Sequence, residues 1–446
     1  MKKGKILAAL AAIMMVSGAN VPIMAEVSQL DEVVVEADRY RQNGNESVIK
    51  PLGVVADQVQ NVGLLGEKDA LETPFNSMTL TRKDLDYFGS PEKGPTDMLT
   101  LNPAVRDASS NLYNDVSIRG FNLNGHNMYL NGIQGMLDQQ HAADIYIDKA
   151  TVIAGPNLGI VGTPNRENLG GTILFTSKKA QAEPNLDLTL AYQGGKSFKE
   201  AVDFGTRLGQ NQRWGIRVMT DNIQGETAID GDKLTQRDFF VNIDQKTKKS
   251  KTNLLIGYNY ADQKGAQFTW NFNEYNQPKG SRLPKAPDNG RSYLPEWTNN
   301  EYDNWIATLN HEQILSDHTT AFFNAGYHRE DWYGYQYGTP RLQNANGDYT
   351  VHPENYPLAV TTKYFGGGIK GKFNLGLTKH NYVLSVDRMM YDNYGGTNKK
   401  WGNIADRWII HSIICIAMNK EVRRGVLPSL LRDGIYRMIF PCLMTD

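Results

Sequence analysis

From Leu186 to Tyr391 one pattern recurs: about nine segments of roughly ten residues in which apolar and polar side chains alternate. In NLDLTLAYQ, Leu186, Leu188, Leu190 and Tyr192 share one face, and Asp187, Thr189 and Gln193 share the other. RWGIRVMTDN sets Trp214, Ile216 and Val218 against Arg213, Arg217 and Asp221. TNLLIGYNYA, DNWIATLNHE, TTAFFNAGYHR and NYVLSVDRMMYD repeat the alternation less purely. About ten tilted strand residues cross the apolar slab of a bilayer. A sheet that is apolar on one face and polar on the other, strand after strand, therefore suits an outer-membrane barrel with a wet lumen. The connections agree. GQNQ (209–212), TKKS (247–250), SDH (316–318) and GLT (376–378) are tight turns, and between them come long loops at 225–236, 262–302 and 330–362. Long connections thus all leave at one end, as in transmembrane barrels. A soluble β-sandwich, the other use of alternating strands, has no reason to sort its loops so.

Composition narrows the class further. A formal charge of −1 speaks against a nucleic-acid partner, which calls for a strongly basic chain. The 42 glycines and 22 tyrosines suit a turn-rich β protein. Residues 1–25 read as a signal peptide: Lys2, Lys3 and Lys5 precede an apolar core, Ile6 to Val16, with cleavage after Ala19 or Ala25. Cys415 and Cys442 are the only cysteines, so no disulfide framework is expected.

Residues 26–70 read as a flexible polar segment in which DEVVVEA, Asp31 to Ala37, is the one strong strand signal. From 71 to 180 the pattern is that of a small α+β domain. MTLTRKDLDYF predicts a strand and a short helix, and PTDMLTLNPAV predicts a helix stopped before a proline. DVSIRGFN and NMYLNGI predict strand–turn–strand, while IDKATVIAGP and GGTILFTSKKA predict two further strands.

Over about residues 1–403 these motifs together resemble a TonB-dependent outer-membrane receptor. DEVVVEA (Asp31, Glu32, Val33, Val34, Val35, Glu36, Ala37) resembles the TonB box, the segment that pairs with the inner-membrane energy-coupling protein TonB. SIRGFNLNGHNMYLNGIQG resembles the central Arg-Gly-Phe stretch of the family's plug, and IDKATVIAGPNLGIVGTPNRENLGGTILFTSKKA its closing segment. The chain departs from the family at Thr151, Ala154 and Leu174, where Glu, Lys and Asn are usual and help latch plug to barrel. Arg119 then stands as the candidate plug–barrel contact.

The resemblance implies an all-β chain with a small α+β domain: an N-terminal plug (71–180) followed by antiparallel transmembrane β-barrel strands (181–403). About nine strands are expected, whereas plugged transporters carry about 22, so the barrel is expected to be incomplete and the reading frame truncated or shifted. The tail, 404–446, loses the period-two alternation and is expected to lie outside the barrel. No nucleophile elbow, phosphate loop, HExxH or CxxC occurs, and the eight histidines show no metal-ligand spacing, so neither catalysis, cofactor nor metal site is expected.

Candidate ligand-binding residues are His126, Tyr129 and His141 in the plug, with Arg282, Arg291 and Trp297 in an aromatic- and arginine-rich loop. Stacking and cation–π contacts there would suit a flat anionic ligand, such as a metal chelate. An interfacial aromatic girdle explains the same loop without a ligand. The function implied is energised uptake of a scarce ligand, foremost an iron–siderophore complex, by a protein embedded in outer-membrane lipid. A passive porin or surface adhesin, or the non-functional product of a decayed receptor gene, are the alternatives.

Overall fold

A computed structural model describes residues 56–418 apart from short breaks, the longest at 70–75, 156–160, 162–168, 335–339 and 352–356; of 395–418 it describes the backbone alone. The signal peptide, the DEVVVEA segment and residues 419–446 lie outside the described residues.

The α+β domain opens with β1 (Ala56–Asp57), β2 (Val59–Asn61) and β3 (Glu67–Asp69), and β2 pairs with β3. β1 already pairs with β4 (Asn76–Thr81), so the stretch expected to be flexible to residue 70 joins the domain at Ala56. Helix α1 (Arg82–Phe88) follows at once. Its start is fixed by Thr81, whose N–H donates to Asp84 at 2.7 Å, and by the Arg82–Asp86 ion pair one turn on. It stops at Gly89, whose N–H caps the Leu85 carbonyl. PTDMLTL yields only a 3₁₀ turn, Asp97–Leu101, before Pro103.

Then come β5 (Val105–Asp107), β6 (Val116–Ile118), β7 (Phe121–Leu123), β8 (Tyr129–Leu130), β9 (Ile133–Gln134), β10 (Ile147–Ala154) and β11 (Gly171–Ser177). β5, β6 and β7 form a three-stranded sheet, and the main sheet has the order β1-β4-β10-β11-β8-β9, with β8 parallel to β11. Leu80, Ile118, Leu130, Ile133, Val152 and Phe175, all fully buried, belong to its core. The departures from the family pattern sit inside this sheet. Thr151 is opposite Leu174 and bonds the hydroxyl of Thr79 at 2.7 Å, so it braces β10 on β4.

The second part is one antiparallel meander of β12 (Asn185–Tyr192), β13 (Phe198–Leu208), β14 (Trp214–Glu226), β15 (Lys233–Lys246), β16 (Ser250–Lys264), β17 (Asn299–Ser316) and β18 (Thr319–Gly334). A small hairpin, β19 (Pro340–Leu342) and β20 (Tyr349–Val351), interrupts it before β21 (Leu358–Leu375), β22 (Thr378–Gly395) and β23 (Lys399–Met418). Its ten strands lie in sequence order, each paired with the next. β12 and β23 each have one neighbour in this sheet among the described residues, so the sheet is open.

The alternation predicts the faces correctly. Leu188 and Leu190 are 71% and 84% exposed on the outer face, whereas Asp203, Arg217, Asp238 and Asn259 are buried on the other. Three details differ from expectation. Strands reach 20 residues, about twice the ten expected. The first long loop shrinks to 227–232, between β14 and β15. The tail expected to leave the barrel at 404 instead continues the sheet, with β23 pairing with β22 from Gly395↔Lys399 to Thr378↔Met418. Backbone pairing does not require alternation, and WIIHSIICI is rich in strand-prone isoleucine.

Candidate functional site

The first domain meets the polar face of the meander through packing and buried polar ties. Tyr146, from the domain, stacks on Phe240 of β15 with centroids 4.1 Å apart. Phe240 lies over Gly257 of β16, where a Cβ would come within 2.1 Å of the ring. Lower on the same face, Lys178 pairs with Asp203 at 2.8 Å, Arg217 grips Asp203 at 2.6 Å, and Lys199 reaches Asp144 at 2.8 Å. Such buried pairs discourage separation, because removing either partner strands a charge away from water.

The densest ties gather around residues 126–141. His126 Nε2 donates to Glu330 of β18 at 2.7 Å, and its ring meets Tyr391 of β22 edge-on at 5.6 Å. The Gln139 N–H donates to the other Glu330 oxygen at 2.6 Å. His328 Nδ1 donates to the Gly135 carbonyl at 2.9 Å, and its Nε2 lies 2.7 Å from Asp138 Oδ1. His141 meets Gln263 of β16 at 2.6 Å, and Gln263 in turn donates to Asp232.

These contacts revise the expected site. His126, Tyr129 and His141 are buried, at 5%, 5% and 1% exposure. His126 and His141 join the domain to the sheet, while Tyr129 packs with Ile153 and Leu174. None of the three is open to a ligand, because the meander covers the stretch that carries them. Arg119 is corrected in the opposite sense. It sits at φ 52° in the tight β6–β7 turn, exposed, with no hydrogen bond or ion pair to the meander among the described residues. The contact expected of it falls to His126, Gln139 and His141. Asp138, His328 and Glu330 were not singled out by the sequence. The one available signal was His-x-Glu at 328–330, two residues apart on the polar face of a strand.

The connections at the far end of the strands form a canopy. Asn271 exchanges two backbone bonds of 2.9 Å with Pro340 and Leu342, joining the 265–298 loop to the β19–β20 hairpin. Glu274 fastens the same seam by accepting from Arg341 at 2.7 Å and from Thr350 at 3.2 Å. Hydrogen bonds from Arg341 and then Gln343 hold its carboxyl below the ordinary glutamate range. The Ser292 N–H donates to the Asp230 carbonyl, tying in the 227–232 loop. Trp270, Tyr293 and Tyr349 pack edge-to-face with centroids 5.1–5.7 Å apart, and the Arg291 guanidinium lies 4.5 Å over Tyr293. Arg282, Arg291 and Trp297 are exposed. Of the expected ligand residues, these three are accessible.

The chain is 26% identical over 374 residues to the ferrichrome receptor FcuA of Yersinia enterocolitica, matching 83% of this chain and 48% of that receptor. The structure superposes on the ferric preacinetobactin receptor BauA of Acinetobacter baumannii with a TM-score of 0.69 at 22% identity, covering 81% of this chain and 52% of that one. The pyoverdine receptor FpvA of Pseudomonas aeruginosa matches with a TM-score of 0.64 at 14% identity, covering 82% and 56%. This is the plug-and-barrel fold of the TonB-dependent siderophore receptors. In that fold the first domain corresponds to the plug and the meander to part of the barrel wall. The chain spans about half the length of the relatives it matches. No protein-family model matches it.

Proposed function

We propose that the chain serves TonB-dependent uptake of an iron–siderophore complex across the outer membrane. The observation that carries this reading is the plug itself, fastened to the polar face of the wall by His126–Glu330, Gln139–Glu330, His141–Gln263 and the Lys178–Asp203–Arg217 cluster. A passive porin needs an open lumen, whereas a lumen filled through buried charge pairs opens only when work is done on the plug. The homologue named as a ferrichrome receptor supports a ferric siderophore as cargo. Exposed Arg282, Arg291 and Trp297 provide cationic and aromatic contacts for a chelate arriving at the canopy.

TonB would engage Asp31–Ala37. Its valine run adds as an edge strand to a sheet of the partner, with backbone bonds giving the affinity. The test is uptake of radioiron, supplied as ferrichrome and as a ferric catecholate, by cells producing the chain with and without TonB. Uptake of one of them only when TonB is present is expected. Val34→Pro removes one N–H and fixes φ, so it should stop uptake while cell-surface binding persists. Equal uptake without TonB would instead establish a passive pore.

A further inference from the structure

We propose that Asp138 and His328, with Glu330, form a binding site for one first-row divalent transition-metal ion that bridges plug and barrel wall. The three side chains are 5%, 1% and 0% exposed, and one donor atom from each lies within 4.8 Å of the others. The geometry around them orients the donors. A carbonyl oxygen only accepts, so the bond to Gly135 puts the proton of His328 on Nδ1 and leaves Nε2 facing the carboxylates. Imidazole ligands of metals are held in this manner, by an N–H on the far nitrogen. From Nε2 the distances are 2.7 Å to Asp138 Oδ1 and 3.6 Å to Glu330 Oε1. Donors bound to one ion at the usual lengths stand about 3.0–3.4 Å apart, between those two values.

Glu330 is held in turn, its Oε1 by the Gln139 N–H and its Oε2 by His126, which fixes the carboxylate in place. Two buried carboxylates need compensating positive charge. The alternative to a metal ion is a proton shared between His328 and Asp138. One imidazole and two carboxylates suit Zn²⁺, Fe²⁺ or Mn²⁺ rather than a thiolate-seeking ion. The ligands come from both parts of the molecule, Asp138 from the plug and His328 and Glu330 from β18, so the ion would fasten the plug to the wall.

The test is titration of the untagged full chain, in detergent and stripped with chelator, with Co²⁺ as a spectroscopic probe. One equivalent per chain with visible ligand-field absorption, displaced by Zn²⁺, is expected. His328→Gln and Glu330→Gln should each weaken binding by more than about tenfold. His126→Gln, at a positioning residue, should weaken it by about 10–100-fold. His311→Gln, at a strand residue bonded to Thr252 instead, should leave it unchanged. Absence of stoichiometric binding by the wild-type chain, which needs no variant to fold, would overturn the proposal in favour of the shared proton. So would unchanged binding in His328→Gln.

Discussion

Asn131 holds a hairpin, a plug strand and the barrel wall together, and its replacement separates two physical effects. With Gly132 it makes the two-residue turn between β8 and β9, at φ 51° and 80°, the left-handed pair that favours Asn-Gly. Its Oδ1 accepts from the Ser177 N–H at 3.0 Å, and its Nδ2 donates to Ser177 Oγ at 2.9 Å and to Thr308 Oγ1 of β17 at 3.3 Å. Ser177 and Thr308 are buried at 1% and 0% exposure, so water cannot replace what Asn131 supplies. Asn131→Ala loses these bonds, at about 2 kcal/mol for a buried donor left without an acceptor. Ala also lacks the local side-chain bonding that lets Asn tolerate the left-handed region, at about 1 kcal/mol. Asn131→Gly loses the bonds but not the backbone freedom, so it should be the milder change by about 1 kcal/mol. Hydrogen exchange at the Ser177 amide reads both. Acceleration on the order of a hundredfold is expected for Ala and about thirtyfold for Gly, at 1.4 kcal/mol per factor of ten. Equal acceleration in the two variants would refute the strain argument, and no acceleration in either would refute the bonding argument.

Gly257→Ala places a Cβ within 2.1 Å of the Phe240 ring and should cost about 1–3 kcal/mol, disturbing the Tyr146 stack. Faster proteolysis of the plug in the full chain is the readout, and Phe240→Leu should restore protection. The Glu274 seam has a defined pH sense. Its carboxyl is held low in the folded protein, so its contribution is present above the ordinary glutamate pKa and is lost as pH falls through the lowered value. Trp270 fluorescence should therefore change only below the range of a free glutamate, and Glu274→Gln should abolish that acid transition. Arg282→Ala and Arg291→Ala should each weaken binding of an anionic ferric chelate by about tenfold or more. A direct titration showing unchanged affinity would reduce the loop arginines to structural anchors.

Period-two alternation determined the two faces of the wall without any tertiary information, because a strand sends successive side chains to opposite sides. Leu188 and Leu190 therefore read as outward-facing, and Arg217 and Asp221 as inward-facing, from sequence alone. The tight turns at 209–212 and 247–250, and the strand–helix junction at Thr81–Arg82, were legible because short-range chemistry sets them. Alternation also misled, since its loss after residue 403 does not end backbone pairing; β23 continues the sheet regardless.

What only the tertiary structure decided was which side chains meet across the plug–wall boundary. Asp138 and His328 are 190 residues apart, and His126 and Glu330 are 204 apart. No local spacing carries such a pairing. Arg119 looked like the natural latch because a charge in a plug motif needs a partner, yet its turn places it in the open. The histidines looked like ligand groups until the meander was seen to cover them. Burial is a property of the assembled surfaces, and it assigned these polar residues to holding the plug in place.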